Sequence, residues 1–430
     1  MKKNIFLKST IILLLGGCIT KILGLIIKVY TTRILGNDAI ALYSFVMPTY
    51  SLLLSIANFN IMLSVSKRVS ETKESKKVII NATYIMFLLN TILILTMLLN
   101  VNLISNELLK NKDTFYPIIA CTLTIPFVSL GYIIKGYFYG KQNVAPHMIS
   151  NVLEQLFRLL VILFIMPKII KYGKVISVTI FILISILNET FSILVFLFFL
   201  PKNIKIKRQD LKLDKNESKE IMKISIPSMS SRIIGNIGYF LEPVLLTHIL
   251  LYKGLSSNYI TFEYGTYNAY AISTLLFPSF FISAISNSLL PEITKLYKNN
   301  NIILIKKRIK ESLLLSLLVG IICTSFIYIF RNQILTLLYK TNNGSTYIKI
   351  LSPFFILFYL EGPLSTILIS LNKIKECTKI SIIGIIIKLI TMSILAFLGF
   401  KIYALLISEI IDILFITTNE IIVLKRTIYE

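Results

Sequence analysis

The sequence predicts an all-α, polytopic membrane protein of about 12 transmembrane helices arranged as two six-helix lobes. Of its 430 residues, 55% are hydrophobic and 15% charged, with a mean hydropathy of +0.77. A soluble domain is roughly one quarter charged. Apolar runs near the ~20 residues that cross a bilayer recur along the whole chain. The cations gather between those runs, on alternate sides.

The first six runs cover roughly residues 9 to 30, 43 to 66, 78 to 99, 115 to 134, 148 to 166 and 176 to 200. The second six cover roughly 223 to 250, 264 to 290, 312 to 330, 349 to 371, 380 to 399 and 402 to 424. Between the sets lies the longest polar stretch, with Lys205, Lys207, Arg208, Lys212, Lys215 and Lys219. The expected organisation is therefore an N-terminal lobe over 1–200, a basic linker over 201–222 and a C-terminal lobe over 223–430. Tyr43 to Pro48 in the second run faintly parallels Tyr267 to Pro278 in the eighth. Six runs per half place both halves in the same orientation, a recurring transporter architecture.

The formal charge of +24 raises a nucleic-acid partner as one reading. Position decides against it. With the amino terminus inside, 29 of the 45 Lys and Arg residues fall on inner segments and 10 on outer ones, the positive-inside bias of a multi-pass protein. Both termini and the linker are thus expected in the cytoplasm, with the chain in the cytoplasmic membrane. Cys18, Cys121, Cys323 and Cys377 are too widely spaced for a zinc site, so no metal or cofactor is expected. Leu15-Gly16-Gly17-Cys18 has the look of a lipoprotein cleavage box, but apolar character continues to about Tyr30, which favours an uncleaved first span.

A charge at mid-membrane costs ~2.5 to 3.5 kcal/mol on insertion scales, so each needs a partner, a wet cavity or a route to the interface. The first run carries Gly17, Lys21, Gly24 and Lys28 at steps of four, three and four, one helical face. Either this face lines a substrate path, or the glycines pack helices and Lys28 extends to the outer interface. Arg33 lies beyond the run as an anchor. Glu154 precedes Arg158 by four residues, the spacing of an intrahelical ion pair. Arg232 and Glu242 share the seventh run with Pro227 and Pro243; these prolines, with Gly24, are the expected hinges. Lys388 is a further substrate-binding candidate. Glu154, Glu242, Glu361 and Asp412 are candidates for ion pairing or for coupling to protons, sodium or membrane potential. Glu189 and Glu409 are weaker candidates of the same kind.

Enzyme chemistry has little support: the chain lacks D-x-D, H-E-x-x-H, a phosphate loop and a G-x-S-x-G elbow. A membrane-embedded transferase is the alternative of a different class.

Lys21-Ile22-Leu23-Gly24 followed by Arg33-Ile34-Leu35-Gly36 resembles the first helix of the multidrug/oligosaccharidyl-lipid/polysaccharide exporter superfamily. Gly136 to Gly140, Pro146, the stretch from Asn151 to Arg158, and Pro278 through Pro291-Glu292 are similar to the stage V sporulation protein B group of polysaccharide flippases. The resemblance covers roughly residues 9 to 310. It implies a MATE-like pair of lobes around a cavity, alternating access, and export of an undecaprenyl-diphosphate-linked saccharide such as a polysaccharide unit or a peptidoglycan or spore cortex precursor. Relatives usually have fourteen spans, so a groove for the lipid tail built by two extra helices is not expected here. An anionic diphosphate suits a cavity bearing Lys21, Lys28, Arg158, Arg232 and Lys388, since Coulomb attraction strengthens where water is scarce. A drug/cation antiporter of the same fold is the transporter alternative, and it would use the acids instead.

Overall fold

The structure is a computed structural model that describes residues 2–72, 74–200, 213–299 and 301–429, with side chains from Gly16 onward apart from Ser230, Ser231 and Tyr429. Most of the expected basic linker, residues 201–212, lies outside the described residues. Among the described residues the chain forms helices and no strands. It divides into two compact units, Met1–Phe240 and Leu241–Glu430.

The first unit holds α1 (Lys2–Asn58), α2 (Ile61–Glu71), α3 (Ser75–Asn102), α4 (Phe115–Gly140), α5 (Ala145–Ile169), α6 (Lys174–Phe199) and the first part of α7 (Lys215–Tyr252). α1 joins the first expected span to most of the second. Its regular backbone is interrupted at Gly36, where φ is 73°, a left-handed value that glycine adopts without a Cβ clash. Phe59 and Asn60, also at positive φ, separate α1 from α2. Gly24 sits within regular helix, and α7 runs unbroken through Pro227 and Pro243; the non-helical backbone of α1 thus lies twelve residues beyond the expected Gly24 hinge. α4 packs closely on α2 because Gly136 and Gly140 present no side chain: a Cβ there would stand 2.8 Å from the Met62 carbonyl oxygen and 2.6 Å from that of Ser66. This is the small-residue contact by which membrane helices approach one another.

The division between units falls inside α7, later than the expected linker, and side-chain chemistry explains it. The start of α7 is pinned to α2 and α3. Arg68 donates to both carboxylate oxygens of Glu217, at 2.9 and 2.7 Å, a bidentate geometry. Ser64 and Ser225 share a buried hydrogen bond at 2.6 Å. Just before α7, Asp214 pairs with Lys77 at 2.7 Å. That ammonium, with the backbone N–H groups of Glu217 and Asn216, holds the Asp214 carboxyl below its ordinary value. Apolar packing completes the join, with Ile221 in one core cluster with Val65, Val69, Val78 and Phe138.

The second unit holds the end of α7 with α8 (Ser257–Leu275), α9 (Ser279–Lys298), α10 (Ile302–Tyr339), α11 (Ser345–Ser370), α12 (Ile374–Phe397) and α13 (Tyr403–Tyr429). α11 packs against α9, α10 and α13, while α12 packs on α13. Its core includes Leu289, Ile293, Ile305, Leu364 and Ile367. α8 contains a π-helical turn at Thr266–Ile272 and meets α9 at a bend of 55°. One-turn π segments re-aim side chains and recur at functional sites.

Among the described residues nine helices are long and apolar enough to cross a membrane, or ten if the bent α8–α9 pair is one span. This is fewer than the twelve runs expected from hydropathy. The first two runs merge in α1 and α2, which continue from Gly16 to Glu71 with only a short break. α13 is not among those helices; it carries Glu409, Asp412, Glu420, Lys425 and Arg426.

Candidate functional site

In the first unit the helical repeat brings Lys21 and Lys28 onto one face of α1. Lys21 is exposed and Lys28 half-buried. Neither forms an ion pair with any described residue. A Cβ placed on Gly17 or Gly24 would meet no described atom within 4 Å, so these glycines are not packed on a neighbouring helix in the way Gly136 and Gly140 are. Arg232, on α7, is also exposed and without an ion-pair partner among the described residues. Pro227 lines a separate open cleft of about 500 Å³ with Lys67, Glu71, Glu220 and Lys223.

The same unit encloses a cavity of about 250 Å³ between α1, α4, α5 and α6. Glu154 and Arg158 line it, together with Glu189, Asn188, Tyr43 and Tyr50. The four-residue spacing of Glu154 and Arg158 does not produce an ion pair among the described residues. Both side chains turn instead toward the cavity that the neighbouring helices create. The Arg158 guanidinium lies 5.9 Å from the Phe181 ring centre, a cation–π distance, and its buried Nε has no hydrogen-bond partner. Asn188 is 2% exposed, and both of its amide atoms are unpartnered, as is Glu189 Oε2. Buried polar atoms are nearly always paired, so these atoms keep hydrogen-bonding capacity that water or another polar group can fill. Gly131 makes the room: a Cβ there would approach Glu189 Oε2 to 2.8 Å.

The second unit treats its cation differently. The Lys388 ammonium sits 2.6 Å from Glu242 Oε1 and 2.6 Å from Glu409 Oε2. All three side chains are largely buried, at 13%, 7% and 15% exposure. Tyr267, within the π turn of α8, donates to the same Glu409 oxygen at 3.1 Å. The regular packing of α12 on α13 continues this contact. Gly384, one turn from Lys388, faces Asp412, where a Cβ would come within 2.5 Å of Oδ1. Cys377 faces Glu420 at 3.4 Å. From α11, Ser365 donates to Glu420 at 2.6 Å, and Glu361 accepts from Thr417 at 3.4 Å. Among the described residues no group of three or more His, Cys, Asp or Glu side chains is arranged to hold a metal ion.

Four of the five cations expected to bind substrate, Lys21, Lys28, Arg158 and Arg232, therefore lie in the first unit, and Lys388 lies in the second, bridged by two acids. Sequence reading missed Glu420, whose position eleven residues after Glu409 puts both on one face of α13. It also missed Asn188 and the Tyr267 contact with Glu409. The first signal was available in the spacing. The other two depend on which helices become neighbours.

The profile of the family described as polysaccharide biosynthesis protein matches residues 6–297, and the MatE profile matches residues 268–394. Stage V sporulation protein B of Bacillus subtilis (strain 168) is 29% identical over 399 residues, covering 90% of this chain and 77% of that protein. Lipid II flippase MurJ of the same organism is 27% identical over 189 residues, 40% of this chain and 35% of that protein. Among solved structures, a multidrug resistance MATE family transporter of the MOP superfamily matches with a TM-score of 0.71 at 14% identity, covering 94% of this chain and 92% of that one. A MOP superfamily transporter from Pyrococcus furiosus, described as having a binding pocket of reverse polarity, matches at 0.62 with 12% identity over 98% and 96%. These likenesses establish a MATE-like fold in a multi-pass membrane protein. With the family profile spanning more than half of its length, the chain belongs to the polysaccharide biosynthesis protein family.

Proposed function

We propose that this chain exports an anionic lipid-linked saccharide across the cytoplasmic membrane by alternating access. The observation that carries the reading is the set of cations in the first unit that have no ion-pair partner among the described residues. Lys21 and Lys28 lie on one face of α1 with Gly17 and Gly24, and that face is open to approach. A polyprenyl-diphosphate saccharide offers two features that such a face suits: negative charge at the diphosphate, and a bulky head that needs backbone to stand clear. The names of relatives, a sporulation protein and a lipid II flippase, point the same way. They give no support to a membrane-embedded transferase.

A charged hydrogen bond contributes about 1.5 to 3 kcal/mol, which corresponds to about tenfold or more in export for each cation removed. The test pairs two measurements on a Lys21→Ala, Arg232→Ala double variant: membrane abundance by immunoblot, and accessibility of the lipid-linked precursor at the outer face. Normal abundance with export lost is expected. Unimpaired export would overturn the cationic-path reading.

A second reading, export of a cationic drug, is favoured by the acids of the second unit. Uptake of a cationic dye into inverted vesicles, unaffected by Lys21→Ala, would support it. From the basic inner segments we infer that both termini and the linker face the cytoplasm. A cysteine introduced at Lys205 in a chain lacking its native cysteines is expected to resist an impermeant thiol reagent in intact cells; labelling would overturn that topology.

A further inference from the structure

Three helices of the second unit begin at the same end of its bundle, and each brings a tyrosine there. Ser256 caps α8, accepting from the Tyr259 N–H at 3.3 Å, and Tyr259 and Glu263 fall one turn apart on one face. α11 starts after Gly344, whose φ of 84° turns the chain and whose bare Cα faces Thr266 and Tyr270 of α8. That seat puts Tyr347 beside Glu263, and its hydroxyl donates to Glu263 Oε2. α13 starts at Tyr403, after a turn with Gly399 and Lys401 at positive φ. The Tyr347 and Tyr403 rings meet edge to face, with centres 6.1 Å apart, and Tyr259 lies within electrostatic reach of both Glu263 and Tyr403.

Tyrosines at a membrane surface ordinarily form an interfacial belt. This group differs in two respects. Tyr347 is 7% exposed and its hydroxyl is held by a carboxylate, so it turns inward while Tyr403, 42% exposed, stays open. Glu263 is half-buried and has no ion-pair partner among the described residues. A carboxylate offers about four lone-pair sites, and the Tyr347 hydroxyl takes one. Aromatic rings beside an acceptor with spare capacity suit a ligand that carries both C–H faces and hydroxyl groups. A sugar ring has both. An anion is repelled by an unpaired carboxylate, so a lipid diphosphate does not suit this place. Neither does an alkylammonium: its cage presents ring faces to one point, whereas here the edge of one ring meets the face of the other.

We propose that Tyr259, Glu263, Tyr347 and Tyr403 form a subsite for a neutral sugar ring at the end of the second unit where α8, α11 and α13 begin. The Tyr403 ring stacks on a C–H face of the sugar, and Glu263 accepts from its hydroxyl groups. On the topology inferred from the basic segments this end faces outward, so the subsite receives the saccharide head as it leaves the membrane. The choice of a sugar rests on the proposed export of a lipid-linked saccharide; the subsite itself needs no diphosphate.

The test applies an array of neutral, lipid-free saccharides to the purified full-length chain in lipid nanodiscs. The parent is expected to bind at least one of them, and Tyr403→Ala and Glu263→Gln are each expected to weaken that binding about tenfold. Tyr252→Ala removes an exposed tyrosine that stacks on Phe397 outside this group, and is expected to leave binding unchanged. A parent that binds no saccharide would overturn the proposal, and that result needs no variant to fold. Binding that survives in both Tyr403→Ala and Glu263→Gln would also overturn it. So would binding of tetramethylammonium in place of every saccharide, in favour of a cation site. The probes carry neither lipid nor diphosphate, so failure here leaves the cationic export path standing, and unimpaired export by the Lys21→Ala, Arg232→Ala chain leaves a measured sugar subsite standing.

Discussion

The two units of this chain handle buried charge in opposite ways. In the first, Arg158 shares a cavity with Glu154 and Glu189 without an ion-pair partner among the described residues, and Lys21 and Lys28 line an open face. In the second, Lys388 is held at 2.6 Å by each of two glutamates. An unpaired cation in low dielectric is available to a mobile anion, whereas a bridged one already has its counter-ions. On the proposed reading, the same residue type serves an incoming ligand in one unit and the fold itself in the other.

The largest expected effect follows from breaking that contrast at Lys388. Lys388→Ala leaves Glu242 and Glu409 facing each other without a cation, and stranding buried partners costs ~3 to 5 kcal/mol. Membrane abundance and thermal stability are expected to fall together. Lys21→Ala strands nothing, so its abundance is expected to match the parent. Adding Glu242→Gln and Glu409→Gln to a Lys388→Met chain removes all three charges, and is expected to restore most of the lost stability. A Lys388→Ala protein as abundant and heat-resistant as the parent would show that the triad is not structural.

Much of the fold was legible because bilayer crossing writes itself into hydropathy: α3, α5, α6, α10 and α12 each fall on a single apolar run. The boundary between units was not. It depends on Arg68 reaching Glu217 and Lys77 reaching Asp214, contacts between residues over a hundred positions apart that no local pattern contains. The candidate site divides similarly. Lys21, Lys28, Glu242 and Lys388 stood out because charges in apolar runs are rare, but their pairing did not. Glu154 and Arg158 illustrate the limit: a spacing of four permits an ion pair, yet a neighbouring cavity with Glu189 and Asn188 gives both side chains a different destination.

A smaller effect would sharpen the contrast within the first unit, between glycines that pack and glycines that stay open. Gly140→Ala places a methyl 2.6 Å from the Ser66 carbonyl oxygen and 2.7 Å from Val69 Cβ. Backbone cannot yield as a flexible side-chain tip does, so overpacking is expected to cost ~1 to 3 kcal/mol, read as a lowered melting temperature of the purified protein. Gly24→Ala meets no described atom within 4 Å, and alanine suits a helix better than glycine by about 1 kcal/mol. Its melting temperature is therefore expected to hold or rise. If that open face receives the saccharide head, Gly24→Leu should slow export while the protein stays stable. A stable Gly24→Leu chain that exports normally would mean the substrate passes elsewhere, and would separate the lysine stripe of α1 from the transport path.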